Sequence, residues 1–527
     1  MNPASRLDLQ CLIASPEAPA FDRQSGDRRL YHLILLLREA GARVRFWAHD
    51  QREASPYLQR LQEQEIECFT GPEAAREALA SPPDLVLTAF WKLTETLLPL
   101  VRARFPRCRV MADSVDLHLL RRSREALLGE GLLHPEDGIN FISELNTYAC
   151  CDGVLAVSEK EASLIGDLLG RRQGIHTVPD YEEPYADAPP LSQRRGLIFL
   201  GNHRHQPNCD AVSWLLEEIV PLLGESLLAD HPLRILGHGT ELPRARSRGG
   251  PIPPPFKLRN PNLVLPLGWV DDVKPLLASS RLSLAPLRFG AGTKRKVIES
   301  LLCGTPCVCT PVAAEGLGLE HEREVLIAGD APAFAQAVKR LLQEDDLWRR
   351  LSESGREALQ ERHSPERARE RLTAAVREVL SRPPQSARRA RQARSRRDHW
   401  MKSQYQHLLL RLRLTASQEL NGEARLAVIS RGDDDMLGLG LEHVVHFPCD
   451  SSGRPLWHHP ADSASAIELL QKQRQDGLTH LLIPSTAFWW LEHYGGFADW
   501  LESHARLLHY SPDTCRIYEL TGPGEAA

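Results

Sequence analysis

The stretch from Leu282 to Leu317, LSLAPLRFGAGTKRKVIESLLCGTPCVCTPVAAEGL, constrains the fold of this chain more than any other. Its order is strand, glycine loop, helix, strand. Leu282 to Ala285 is a short apolar run of the buried parallel-strand kind, broken by Pro286 and the Gly290-Ala291-Gly292 turn. A helix is expected from there, with Thr293 as its N-cap. Its period puts Val297, Ile298, Leu301 and Leu302 on one side and Lys296, Glu299 and Ser300 on the other. Gly304 ends it, and Pro306 to Thr310 reads as a second buried strand.

Such a segment suits a phosphate-bearing ligand. Glycines let backbone approach closely, and amides at a helix N-terminus point at an anion. Lys294 and Lys296 add cations at that end, where they run against the helix dipole and lack a structural reason to be. Glu299, one turn deeper, is placed to accept hydrogen bonds from two ribose hydroxyls. Spacing alone is equally compatible with an ordinary amphipathic helix carrying a Lys296–Glu299 surface pair.

The residues themselves resemble the donor-site signature of glycosyltransferase family 4, retaining enzymes of the two-domain GT-B fold. The parts, in order, are Pro286, Gly290 to Gly292, Glu299-Ser300, and Gly304-Thr305-Pro306 running to Thr310. The departure is Ala291, where many members carry a further Glu eight positions before the ribose-binding one. The resemblance implies donor contacts from Gly290, Gly292 and Glu299, and catalytic cations at Lys294 and Lys296. It also implies a nucleotide sugar as co-substrate, with no cofactor and no metal.

Length bounds the architecture. A chain of 527 residues is too long for one core. The 42% hydrophobic and 25% charged content is that of a globular protein, and a net charge of -5 argues against a nucleic-acid partner for the whole chain. Eleven cysteines are scattered without zinc-like spacing, which suits a reducing cytoplasm. No run approaches membrane-spanning length, so membrane contact is expected only from the surface.

The expected fold class is α/β: GT-B, two doubly wound Rossmann-like domains facing a cleft, plus a smaller C-terminal α/β domain. Residues 1–180 form the first, acceptor-side domain. It opens as a βαβ unit with Leu9 to Ala14, a helix bearing Leu30, Leu33, Ile34 and Leu37, and Arg43 to Ala48. Ser25-Gly26-Asp27 at the helix start can seat a pyrophosphate or be a plain N-cap. The resemblance of DRQSGDRRLYHLILLLREAGARVRFW favours a donor contact at Gly26. The strand ending at Ala112 runs into Asp113-Ser-Val-Asp-Leu-His118. In the family this strand end carries an Asp and a His facing the sugar, which implies His118 as catalytic and Asp116 as its partner. A structural histidine opening the next helix is the other reading.

Pro179 to Arg195 reads as the interdomain linker, and residues 196–380 as the nucleotide-sugar donor domain, with a helix from Val212 to Leu223. Arg204, in GNHRHQPNCDA, is the implied cation against the donor diphosphate. Residues 381–400 hold an Arg-rich run expected to be a flexible linker, also suited to an anionic surface. Residues 401–527 resemble a module that accompanies bacterial glycosyltransferase domains. Within it Trp489, Trp490 and Tyr494 can form a sugar-stacking face or a core cluster, and Asp433 to Asp435 satisfy a D-x-D metal pattern or form a solvated loop.

The function implied is retaining transfer of a sugar from a nucleotide-diphosphate donor to a glycan or lipid-linked acceptor, in bacterial surface polysaccharide or glycoconjugate synthesis. The expected location is the cytoplasm, at the inner membrane face if acceptors are there. A sugar-nucleotide epimerase of GT-B fold, or a non-catalytic nucleotide-sugar scaffold, are the alternatives.

Overall fold

The computed structural model describes residues 6–51, 53–129, 131–133, 135–203, 205–237, 263–450, 453–456 and 458–520, with positions 135 and 136 described in backbone only. The short apolar runs do become buried parallel strands. In the first domain these are β1 (Gln10–Ser15), β2 (Arg43–Ala48), β3 (Glu67–Thr70), β4 (Leu85–Ala89), β5 (Arg109–Asp113), β6 (Gly153–Ala156) and β7 (Ile175–Thr177). They lie in the order β3-β2-β1-β4-β5-β6-β7, every pairing parallel. β4 is buried along its whole length, as a strand covered on both faces must be. The Ser25–Glu39 helix buries Leu30, Leu33, Ile34 and Leu37 on the expected stripe.

The second domain repeats the plan with β8 (Leu197–Leu200), β9 (Leu233–Leu236), β10 (Val264–Gly268), β11 (Leu282–Ala285), β12 (Cys307–Cys309) and β13 (Leu326–Ile327). Their order is β10-β9-β8-β11-β12-β13, again parallel. In each sheet the strand order reverses about its first strand, β1 or β8. Such a reversal leaves a crevice at the carboxyl ends of the strands, where open α/β sheets take ligands.

The Pro365–Leu380 helix belongs to the donor domain in sequence but buries Ala368, Leu372, Val376 and Val379 in the core under β1, β4 and β5. Each of these larger side chains adds roughly 1.5–3 kcal/mol of burial. This return of the chain is why Met1–Arg394 forms one compact unit with two sheets, and Ser395–Ala527 a second.

The second unit contains β14 (Arg425–Val428), β15 (His443–His446), β16 (His480–Pro484), β17 (Arg506–Tyr510) and β18 (Cys515–Glu519), ordered β15-β14-β16-β18-β17. The first three pair in parallel, and β18 joins β16 and β17 antiparallel. Trp490 and Tyr494 are 1% and 2% exposed, and Tyr494 donates its hydroxyl to the Pro460 carbonyl at 2.8 Å. They are core, not a stacking face; Trp489 alone of the three is half-buried.

Three boundaries differ from the sequence reading. The Arg-rich run is not a flexible linker: a helix spans Ala387–Glu419, and the division between units falls inside it at Arg394. Alanine, arginine and glutamine are strong helix formers, no Gly or Pro follows Pro384 there, and Ser386 Oγ accepts from the Arg388 amide at 3.3 Å. The helix read as starting at Val212 begins at Gln206, because Pro207 sits in its first turn, where a missing N–H costs nothing. The glycine-loop helix runs Arg295–Leu302 with Lys294 at its N-cap, and Thr293 instead donates its hydroxyl to Asp180 at 2.7 Å.

Candidate active site

A cleft of about 550 Å³ opens between the two sheets of the first unit. Gly26, Asp116, His118, Gly290, Gly292, Lys294, Lys296 and Glu299 all line it, brought from both domains. Arg204 lies outside the described residues.

The loop after β11 carries Gly290 at φ +144° and Gly292 at φ +69°, backbone that side chains disfavour. A Cβ on Gly292 would also meet the Asp116 Cβ at 3.2 Å, so the two domains approach here as closely as a glycine permits. The loop curls over the Lys294 ammonium, which donates to the carbonyls of Ala291 at 3.1 Å and Gly292 at 2.5 Å. Burial pushes the Lys294 amine down to about 8 against the pull of Glu315, Glu161 and Asp116. Lys296 donates to Asn208 Oδ1 at 2.6 Å, and its ammonium stands 4.4 Å from the centre of the Phe199 ring. Burial, and next the Lys294 charge, bring it to about 7. Neither lysine has a carboxylate at hydrogen-bonding distance among the described residues.

Glu299 lines the cleft and is 5% exposed. Arg295, one turn before it, donates to its Oε1 at 2.6 Å and to Glu182 at 2.7 Å, and Arg28 of the first domain reaches Glu182 at 2.5 Å. Burial pushes the Glu299 carboxyl up and the Arg295 ion pair draws it back. The Lys296–Glu299 surface pair does not form: the partner of Glu299 is Arg295.

On the facing side, Asp116 follows the end of β5. Although burial opposes it, hydrogen bonds from His118 and Arg121 hold its carboxyl well below the usual range, with Nε2 of His118 at 3.2 Å and Nε of Arg121 at 2.7 Å. The indole N–H of Trp91, which can only donate, lies 3.2 Å from Nδ1 of His118. That contact makes Nδ1 the acceptor and Nε2–H the donor to Asp116. Gly26 at the first helix start has a steric reason to be glycine: a Cβ there would come 2.7 Å from Val115 Cγ1. Val115 itself adopts φ +60°, an outlier for a β-branched residue and one that turns the chain into the cleft.

Four further residues bind this site together, and none carries a local sequence signal. Asp180 at the hinge accepts from Arg29 of the first domain at 3.0 Å and from Thr293 of the second at 2.7 Å. Glu161, on the Glu159–Leu169 helix of the first domain, accepts from the Gly292 amide at 2.6 Å. Arg124 grips Glu315 with two hydrogen bonds of 2.6 and 2.8 Å and also donates to the Gly290 carbonyl at 2.8 Å. Their partners lie more than a hundred residues away along the chain.

In the second unit, Asp433 caps a short turn by accepting from the Asp435 amide at 3.1 Å and takes a hydrogen bond from Tyr405 at 2.5 Å, while Asp434 meets His446 at 3.1 Å. The carboxylates of Asp433 and Asp434 are thus engaged in local structure. Among the described residues no group of three or more His, Cys, Asp or Glu could hold a metal ion, and no helix is long and apolar enough to cross a membrane.

Residues 194–344 match the family described as glycosyl transferases group 1. The chain is similar in fold to a sucrose-phosphate synthase from Thermosynechococcus elongatus, at 17% identity and TM-score 0.53, covering 71% of this chain and 99% of that one. It is likewise similar to a glycosyltransferase from Rickettsia africae, at 12% identity and TM-score 0.52 with 71% and 99% covered. The Anabaena protein HepE, in complex with UDP, aligns at 12% identity and TM-score 0.51 with 70% and 100% covered. No curated protein matches the chain. The fold is GT-B, the second domain is a group 1 glycosyltransferase domain, and the enzyme class is glycosyltransferase.

Proposed function

We propose that this glycosyltransferase moves a sugar from a nucleoside diphosphate donor to a glycan or lipid-linked acceptor, with retention of configuration and without a metal. The observation that carries the reading is the convergence of two lysines, one buried and one half-buried, without carboxylate partners among the described residues, a glycine loop and a buried carboxylate on one cleft wall, opposite an Asp–His pair on the other. The diphosphate lies against Lys294, Lys296 and the glycine loop. Charge that grows on the leaving phosphate as the glycosidic bond breaks is met by ammonium groups already in place, which stabilise the transition state more than the ground state. Glu299, fixed by Arg295, takes the ribose hydroxyls. His118 turns Nε2–H toward Asp116, so the pair serves to orient the sugar rather than to abstract a proton. The acceptor proton passes to the leaving phosphate as the acceptor oxygen attacks from the same face.

UDP-sugars are the donors to try first, because the HepE structure of similar fold contains UDP. The reading is tested by the anomeric configuration of the product by NMR, with EDTA in a parallel reaction. Retention that survives chelation supports it; inversion, or loss of turnover with EDTA, contradicts it.

A further inference from the structure

A second cavity in the first unit, of about 430 Å³, shares no lining residue with the donor cleft. That size is within the range of small-molecule sites, roughly 300–1,000 Å³. Its wall draws on both domains and the hinge: Ser158, Lys160 and Thr177 from the first, Pro179 at the hinge, the Gly316–Gly318 loop of the second, and the arginines of the returning helices.

The charges there are poorly spent. Arg367 meets its nearest carboxylate, Glu370, at 3.6 Å, and Arg371 meets Glu159 at 3.6 Å, both beyond hydrogen-bond length. Among the described residues Arg362 donates to a backbone carbonyl alone, that of Gly318. Lys160 stands at the mouth in an ion pair with Glu315. Among the described residues Glu159 is the only acid in the lining. Two helices begin at this cavity, Glu159–Leu169 capped by Ser158 and Pro365–Leu380 capped by Ser364, and each brings the positive end of its dipole. The Thr177 hydroxyl is buried and has no partner among the described residues. Guanidinium groups with free donors, two helix starts and an orphan hydroxyl are what a phosphate needs.

We propose that this cavity binds a phosphate-bearing small molecule, gripped by Arg362, Arg367 and Arg371, at a site separate from the donor cleft. Its phosphoryl oxygens accept from the guanidinium forks and from Thr177. Because the ligand touches both domains, its binding is linked to their closure and so to donor affinity, and by reciprocity the donor tightens the ligand.

Isothermal titration of the full chain with inorganic phosphate and pyrophosphate at constant ionic strength tests this. Arg367 and Arg371 are half exposed in their side chains, so the R367A/R371A variant should keep its fold, checked by thermal melting. Compared in the K294Q/K296Q background, where the donor cleft has lost its own affinity for a diphosphate, it is expected to bind pyrophosphate at least tenfold more weakly than the unaltered second cavity, with R367K/R371K intermediate. Binding of neither anion in the K294Q/K296Q background, affinity there that is unaltered by R367A/R371A, or binding only to phosphatidylglycerol vesicles would each overturn it.

Discussion

The carboxylate of Glu161 accepts a hydrogen bond from the amide of Gly292 at 2.6 Å, joining a helix of the first domain to the glycine loop of the second. Its other oxygen is buried without a partner among the described residues. Burial raises the Glu161 carboxyl to about 7, a shift opposed by the Gly292 amide and Lys294 and reinforced by Asp116.

Stability should register this. Between the unfolded value of about 4.5 and the folded value near 7, the folded state binds more protons than the unfolded one, so stability falls as pH rises through that window and levels above it. The full effect is on the order of 3 kcal/mol. Glu161→Gln keeps an acceptor for Gly292 but removes the titration. Chemical denaturation at pH 5 and pH 8 should therefore show wild type losing stability relative to the variant; parallel pH profiles would refute a buried ionisable tether.

For the lysines the sign is opposite. With folded values of about 8 and 7 against 10.5, Lys294 and Lys296 lose protons in the folded state before the unfolded one, so their burial cost fades as pH climbs from 7 toward 10. Donor binding runs the other way, since an anion needs the charged amines. Nucleotide affinity should weaken from pH 7 to pH 9 in wild type and stay flat in a Lys294→Gln, Lys296→Gln double variant. An equal slope in both would remove the lysines from the diphosphate site.

Glu299→Gln should weaken donor binding by about 1–3 kcal/mol, roughly 5- to 150-fold, through loss of a charged acceptor. Arg295 retains Glu182 at 2.7 Å in that variant, so the melting temperature should change little. Titration with donor nucleotide and a melting curve separate the two effects; a large drop in melting temperature with unaltered affinity would make Glu299 structural.

Residues 1–394 should fold and bind nucleotide alone. The cut belongs after Arg394, not at Pro384, because Ala390 is buried in the core beneath β4 and β5 and Ala393 packs beside it. Comparing chains ending at 384 and 394 checks this: the longer should melt higher, and equal midpoints would show that the helix start contributes nothing.

The strand–loop–helix unit and all the cleft residues chosen on its pattern were legible because each signal is local. Gly290 and Gly292 announce positive φ, and Lys294 and Lys296 announce cations at a helix start. Glu161, Asp180 and Arg124 were not, since an acid in a helix and an arginine on a surface look ordinary until the fold sets them against Gly292, Thr293 and Glu315. For Glu299 the partner Arg295 is adjacent in sequence, but the Glu182–Arg28 end of the network comes from the hinge and the first domain and carries no local signal. The helix through residues 388–397 has no apolar period to announce it; Ala, Arg and Gln form it by intrinsic preference.

The central claim is tested most directly by following a labelled sugar. The full chain is incubated with a panel of nucleotide sugars labelled in the sugar, with and without candidate glycan and lipid-linked acceptors, beside the Lys294→Gln, Lys296→Gln variant. The account predicts release of nucleoside diphosphate from one donor, label transferred to an acceptor, and a drop of at least a hundredfold in the variant, the scale of losing a preorganised charge at a leaving group. Label that stays on the nucleotide as an altered sugar, or a folded protein that releases nucleoside diphosphate from no donor, would contradict it.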